Sequence, residues 1–172
     1  MVMHQILLNS CARAASAAET RFRIDVPIKG LRAARVVALD DGAAAVVRRV
    51  AREHWGGARF FTYDGPRADA GSSGDAAADM YLRAIDGSES RLSDELAGSD
   101  VTMMVATADD GAKAAATIGK ACTVRGIMTA GLVLGDRGEV GAAVSALRPH
   151  ARVLMVTRDE EDVFEVLTAL RA

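Results

Sequence analysis

Short unbroken apolar runs alternate along this chain with longer stretches in which apolar residues recur at helical spacing. The clearest case is the apolar run 101–107, followed by the stretch 113–125 and a second apolar run that ends at Leu134. Such runs are typical of parallel strands buried on both faces, and a spacing of three and four residues is typical of an amphipathic helix. The pattern predicts a strand, a helix and a strand, with Gly126 in the left-handed position that ends the helix.

Similar patterns predict the remaining elements. Six strands are expected at 35–39, 59–62, 80–85, 101–107, 127–134 and 152–156, with a turn over 86–90. Helices are expected from about 43 to His54, over 92–97, over 113–125, around Val140–Leu147, and after Asp159, the last with a buried stripe of Val163, Phe164, Leu167 and Leu170.

This alternation of strands and helices predicts the fold class. It favours a mainly parallel sheet covered by helices on both faces, a three-layer α/β/α sandwich of the doubly wound, Rossmann-like kind. We expect about six strands in the order 3-2-1-4-5-6, which places the strand 35–39 beside the strand 101–107. Residues 31–172 would form this single domain.

Residues 1–30 are predicted to be an N-terminal helix and arm. Leu7, Cys11, Ala14 and Ala18 recur at helical spacing within residues 4–20, and residues 21–28 read as an extended arm. The small apolar face suits either a helix that lies across the domain or a contact between copies. A homo-oligomer is therefore one expected partner state.

The stretch 63–79 is the one long loop-like segment. Asp-Gly-Pro at 64–66 and Gly-Ser-Ser-Gly at 71–74 are turn-forming sequences. Two interpretations stay open, a mobile surface loop and a flap that covers a ligand.

Composition narrows the class of protein. The chain has 172 residues, is 50% hydrophobic and 26% charged, and carries a net charge of −2. It has neither the basic surface nor the aromatic content expected of a nucleic-acid-binding protein. No apolar run approaches the roughly 18 residues of a membrane span, so we expect neither nucleic acid nor membrane as partner.

Cysteine usage and the N-terminus bear on location. Cys11 and Cys122 lie far apart and form no metal-binding or redox motif, and no signal peptide is recognisable. We therefore expect a cytoplasmic protein with reduced thiols. Arginine supplies most of the 21 basic residues and alanine is abundant, as is typical of a GC-rich bacterial genome.

The candidate site is a tetrapeptide that occurs twice. Asp-Asp-Gly-Ala follows the first predicted strand at 40–43 and the fourth at 109–112. If these strands are neighbours, both turns lie at the point where the strand order reverses, which is where ligands of such sheets bind. The candidate ligand-binding residues are Asp40, Asp41, Gly42, Asp109, Asp110 and Gly111.

Two interpretations of these turns stay open. One aspartate of each pair can cap the helix that follows, while the other is solvated. Alternatively, the four carboxylates bind a cationic or hydroxyl-rich ligand, or Mg²⁺, which prefers oxygen ligands. Bare phosphate is disfavoured, because phosphate loops use glycine to expose backbone N–H groups and the aspartates would repel an anion.

Residues 35–134 resemble the GTP-binding domain of FtsZ and tubulin. Ala-Arg-Val-Val-Ala-Leu at 34–39 is similar to the first strand of that family, and His-Trp-Gly-Gly-Ala-Arg-Phe-Phe at 54–61 to the approach to the second. Ala-Gly-Ser-Asp-Val at 97–101 and Gly-Ile-Met-Thr-Ala-Gly-Leu-Val at 126–133 resemble the fourth and fifth. The resemblance implies a Rossmann-like fold.

The phosphate loops depart from that family. Its first phosphate loop is rich in glycine and its signature loop in glycine and threonine, whereas this chain has Asp-Asp-Gly-Ala at both places and shares only Gly42 and Gly111. The loop that senses the terminal phosphate is shortened to 86–90, and the family's activating second domain is not recognisable. The resemblance therefore implies the fold without GTP hydrolysis.

Three functions are compatible with the sequence. The first is a small binding or regulatory module, a degenerate FtsZ/tubulin-type domain without GTPase activity. The second is a small Mg²⁺-dependent enzyme that acts on a phosphorylated or hydroxylated molecule through aspartates at the switch point. The third is an assembly protein that associates through its N-terminal helix and sheet edge. No catalytic residue, metal motif or cofactor is assigned.

Overall fold

A computed structural model describes residues 30–65, 80–136 and 138–172. The expected N-terminal helix over 4–20 and most of the arm and of the loop 63–79 lie outside the described residues, so those predictions stay open. The predicted boundary between the N-terminal segment 1–30 and the domain 31–172 also stays a prediction.

The described chain contains seven strands and five α-helices. The strands are β1 (Ala34–Ala38), β2 (Ala58–Thr62), β3 (Tyr81–Ala84), β4 (Glu89–Arg91), β5 (Val101–Ala106), β6 (Met128–Leu134) and β7 (Val153–Thr157). The helices are α1 (Asp41–Val50), α2 (Leu92–Ala97), α3 (Ala112–Arg125), α4 (Gly141–Leu147) and α5 (Glu161–Ala169), and a single 3₁₀ turn, Asp109–Gly111, precedes α3.

The strands form one sheet in the order β4-β3-β2-β1-β5-β6-β7. The neighbouring pairs β2–β1, β1–β5, β5–β6 and β6–β7 are parallel, whereas β3 pairs antiparallel with both β2 and β4. The order reverses between β1 and β5, which lie side by side. The expected α/β architecture of a mainly parallel, Rossmann-like sheet is confirmed.

The sheet has one strand more than the expected 3-2-1-4-5-6, so its order differs: β4 is added at the edge beside β3, and the six predicted strands keep their relative order. The structure has a seventh strand, β4, where the sequence predicted the end of a turn over 86–90. Gly87 has a positive φ of 89° and closes a tight hairpin between β3 and β4. Because β4 is only three residues long and carries Glu89 and Arg91, it lacks the apolar run by which strands are recognised.

Helices cover both faces of the sheet and create two cores. On one face α1 and α5 pack over Val36, Met103 and Leu132; on the other α2, α3 and α4 pack over Val37, Met104 and Val133. The side chains of β1 and β5 alternate between the two faces, and both strands are buried throughout. This explains the unbroken apolar runs in the sequence.

Helix ends are set by local chemistry that the periodicity does not reveal. α1 ends at Val50 rather than at His54, because the indole N–H of Trp55 donates to the Val50 carbonyl at 2.9 Å and the chain leaves the helix axis. His54 is therefore exposed in a loop. α3 ends as expected, with Gly126 left-handed at φ 68°.

Within the described residues, no helix is both long and apolar enough to cross a membrane.

Candidate functional site

The two Asp-Asp-Gly-Ala turns lie together at one edge of the sheet. Each turn follows one of the neighbouring parallel strands β1 and β5, whose register pairs Ala34 with Val101. The pairing extends one residue beyond β1, since the Leu39 N–H donates to the Val105 carbonyl at 2.9 Å. The structure therefore brings the six candidate residues to the carboxyl ends of the strands at the reversal of strand order.

Asp40 links the two turns to each other. Its Oδ1 accepts from the Ala43 N–H at 2.8 Å, which caps α1, and from the Thr107 hydroxyl at 2.5 Å. Its Oδ2 accepts from the N–H groups of Thr107, at 2.7 Å, and Ala108, at 3.1 Å. Four donors, one from the first turn of α1 and three from the two residues after β5, thus converge on one carboxylate, which fixes the end of β5 against the start of α1.

Asp109 caps a helix other than the one that follows it. The N-terminus of α3 has no side-chain cap, and Oδ1 of Asp109 instead accepts from the Ala143 N–H at 2.8 Å, in the first turn of α4. The expectation that Asp109 or Asp110 caps its own helix is wrong, because the 3₁₀ turn Asp109–Gly111 aims the first aspartate sideways.

The second aspartate of each pair points outward. Asp41 and Asp110 are exposed in the first turns of α1 and of the 3₁₀ helix, where the positive end of the helix dipole favours a carboxylate. Among the residues that the structure describes, no group of three or more His, Cys, Asp and Glu side chains is placed to hold a metal ion. Asp41 and Asp110 are thus the carboxylates available to a ligand in these turns.

The glycines of the turns allow them to pack closely. A Cβ added to Gly42 would overlap the Thr107 hydroxyl, and one added to Gly111 would lie 2.7 Å from the Leu39 carbonyl oxygen. Neither glycine has a positive φ. The absence of a side chain is therefore used for contact between the two turns.

Other groups at this edge are already paired or keep their protons. Asp136, after β6, accepts from Nε of Arg158 at 2.7 Å in an exposed ion pair. The Tyr63 N–H donates to the Ala38 carbonyl at 2.9 Å, next to the turn. Partial burial raises the pKa of the Tyr63 phenol, so its hydroxyl remains a neutral hydrogen-bonding group.

Cys122 lies on the face of α3 that packs into the core. It is fully buried, and burial raises the pKa of its thiol, although hydrogen bonds with Thr102 and Thr129 partly oppose that rise. A thiol held in its neutral form is a poor nucleophile. Cys122 is therefore a packing residue.

Thr107 is the participant that sequence reasoning missed. It ends an apolar run, and its only sequence signal is that it separates β5 from the second Asp-Asp-Gly-Ala turn. Its hydroxyl and N–H both reach Asp40, a residue 67 positions earlier. Only the adjacency of β1 and β5 reveals this role.

No protein-family model matches the chain, and no curated protein matches it.

Proposed function

We propose that this chain is a Rossmann-like binding or regulatory module without GTPase activity, of the degenerate FtsZ/tubulin type. The arrangement of Asp40 is the observation that supports it. Its carboxylate accepts the N–H groups of Ala43, Thr107 and Ala108, at the helix start and strand end where nucleotide-binding sheets meet a phosphate. The Asp40 carboxylate therefore already occupies the backbone N–H groups that would otherwise bind a phosphate.

The chemistry of the exposed groups favours one class of small-molecule ligand. Asp41 and Asp110 carry negative charge at this edge, which repels phosphate and attracts cations. The missing side chains of Gly42 and Gly111 make room for Thr107 and Leu39, which accounts for both glycines without a bound anion. We propose a cationic or hydroxyl-rich molecule as the ligand of the switch point.

A binding and turnover experiment tests this proposal on the full chain. Thermal unfolding is followed with GTP, GDP, NAD, polyamines, amino acids and sugars, each with and without Mg²⁺, and phosphate release from GTP is measured. A ligand at about 100 times its dissociation constant stabilises a protein by about 2.7 kcal/mol, which is readily detected. We expect no stabilisation and no turnover with GTP; GTP hydrolysis at an enzyme-like rate overturns the proposal.

Variants locate any stabilising ligand. Asp41→Asn and Asp110→Asn should each lower the affinity for a cationic ligand, because each removes one exposed negative charge of the turns. Asp94→Asn is the matched control, since Asp94 is an exposed carboxylate on α2, outside these turns. Equal loss in all three variants contradicts binding at the switch point.

A Mg²⁺-dependent enzyme is the second candidate. It is favoured by the exposed positions of Asp41 and Asp110 beside the two turns, since Mg²⁺ is commonly bound by one or two carboxylates together with water and substrate phosphate. Calorimetric titration with Mg²⁺ tests it. Binding that disappears in the Asp41→Asn and Asp110→Asn variants supports the enzyme, and unchanged binding excludes this site for it.

A further inference from the structure

A groove lined by apolar side chains lies at the opposite end of the sheet from the Asp-Asp-Gly-Ala turns. It has a volume of about 630 Å³, and we call it the Trp55 groove. Its lining includes Leu31, His54, Trp55, Phe164, Thr168 and Ala172. Leu31 precedes β1 and Trp55 precedes β2, which places the groove at the amino ends of these strands.

The groove exposes more apolar surface than the sequence pattern predicts. Phe164 was expected in the buried stripe of α5, yet it is 43% exposed, and Leu31 is 64% exposed. The Trp55 ring lies between Phe60 and Phe164, with centroid distances of 6.3 and 5.1 Å. Aromatic rings that line a concave surface are typical of sites that bind another apolar element.

The chain itself enters the structure at this groove. Gly30, the first described residue, lines it. The Arg32 N–H donates to the Arg171 carbonyl at 2.8 Å, which fixes the segment before β1 against the residues that follow α5. A Cβ on Gly56 would overlap the Leu31 side chain, so this glycine lets the entering segment pass closely. The polypeptide that precedes Gly30 is therefore joined covalently to the rim of the groove.

The length and pattern of that segment allow a helix formed by it to reach the groove. Residues 4–20 as a helix would be about 25 Å long, and the nine residues 21–29 can span up to about 30 Å. The predicted helix has Leu7, Cys11, Ala14 and Ala18 on one face. Small side chains let a helix backbone approach large rings closely, and a short tether gives an effective concentration on the order of millimolar.

We propose that residues 4–20 of the same chain form a helix that covers the Trp55 groove, with Leu7 and Ala14 facing Trp55 and Phe164. This contact lies away from the switch point and does not depend on the proposed ligand. It makes the groove an intramolecular docking surface, which an amphipathic helix of another protein could reach only by displacing the chain's own segment.

Trp55 fluorescence tests the proposal, because Trp55 is the single tryptophan of the chain. Ala14→Asp places a carboxylate on the predicted apolar face, and Ala12→Asp places the same group on the opposite face as a matched control. A carboxylate in an apolar contact is unfavourable enough to empty the groove, so Ala14→Asp should red-shift the emission and raise acrylamide quenching about twofold. Ala12→Asp should behave like the unaltered chain.

Disulfide formation provides an independent test of which copy fills the groove. Thr168→Cys introduces a thiol in the lining, and mild oxidation should join it to Cys11 within one monomer, as seen on a non-reducing gel. Val124→Cys, 77% exposed on the opposite side of the sheet, should not react in this way. A disulfide-linked dimer assigns the groove to a second copy and overturns the proposal, as does equal quenching in Ala14→Asp and Ala12→Asp.

Discussion

Thr107 donates two hydrogen bonds to Asp40, one from its backbone N–H to Oδ2 at 2.7 Å and one from its hydroxyl to Oδ1 at 2.5 Å. The two residues follow the neighbouring parallel strands β1 and β5 and are far apart in sequence. Hydrogen bonds to a charged acceptor are stronger than those between neutral groups. This contact therefore holds together the point at which the order of the strands reverses, and several consequences can be measured.

Asp40→Ala should destabilise the protein strongly. It removes the cap of α1 and leaves the N–H groups of Thr107 and Ala108 without their acceptor. Loss of a cap costs about 1 kcal/mol and unsatisfied donors cost more, so we expect a loss of about 3 kcal/mol. Urea unfolding followed by circular dichroism measures this value.

Asp41→Ala is the matched control, because Asp41 is the exposed neighbour in the same turn. It should change the free energy of unfolding by less than about 0.5 kcal/mol. Equal effects of the two substitutions would show that Asp40 contributes only its general charge, and would remove the structural role assigned to it.

Gly111→Ala should destabilise the protein through steric overlap. The added methyl group would lie 2.5 Å from Cβ and 2.7 Å from the carbonyl oxygen of Leu39, and backbone atoms cannot move aside cheaply. Overpacking of this kind costs about 1–3 kcal/mol. Thermal unfolding should show it as a lower Tm.

Gly141→Ala serves as its control, since Gly141 begins α4 with open space around the added methyl group. Alanine is the better helix former, so this variant should be neutral or gain up to about 1 kcal/mol. A Gly111→Ala protein as stable as Gly141→Ala would mean that the two turns are not in close contact.

Glu95→Gln should destabilise the protein, because it leaves a buried charge without its partner. Nε of Arg35 and a guanidinium nitrogen of Arg59 both contact Oε2 of Glu95, at 3.0 and 2.7 Å, and only the Arg59 side chain is substantially exposed. Removing one partner of a buried pair leaves the other charge uncompensated, which costs about 3 kcal/mol. Denaturant unfolding measures the loss at neutral pH.

Arg59→Gln gives the comparison for Glu95→Gln. Because the Arg59 side chain is 54% exposed and Arg35 keeps its contact with Glu95, the loss should stay below about 1 kcal/mol. If Arg59→Gln costs as much as Glu95→Gln, the exposed ion pair rather than the buried one stabilises this corner of the sheet.

Cys122 should resist thiol reagents in the folded protein. Burial excludes the reagent and raises the pKa of the thiol above 9.0, so the reactive thiolate is scarce at pH 8. Val124→Cys, on the exposed side of the same helix, should react at once with Ellman's reagent, and Cys122 should react only after denaturant is added. Rapid reaction of Cys122 in the native protein contradicts the packing around α3.

The raised pKa of Cys122 also makes the free energy of unfolding depend on pH in alkaline solution. Above pH 9.0 the thiol ionises in the unfolded chain while it stays protonated in the folded one. The unfolded state then binds fewer protons, so the stability contributed by Cys122 is present below pH 9.0 and declines as pH rises further. Cys122→Ser should reduce this decline relative to the unaltered chain.

The sequence predicted those strands and helices whose buried residues form a recognisable apolar pattern. The run Val101–Ala106 is buried on both faces, so it carries the signal of a central parallel strand. Gly126 adopts the left-handed conformation expected of the residue after a helix. Strand β4 escaped prediction, because three polar residues at a sheet edge carry no apolar pattern.

The roles of the aspartates were only partly predictable. Asp40 caps the helix that follows it, as its position after β1 allows. Asp109, in an identical tetrapeptide, caps α4 across the sheet edge instead. Identical local sequences therefore differ in function because a cap depends on which N–H groups are nearby.

What the sequence by itself determined is the class of the fold and the order of its main elements, since burial on one or both faces leaves a period in the chain. Tertiary structure alone decided that Asp40 reaches Thr107, that Gly111 lies against Leu39, and that Phe164 faces Trp55 in a groove. These contacts join residues far apart in the chain. Pairing of β1 with β5 and packing of helices on the sheet create them, and neither leaves a local trace in the sequence.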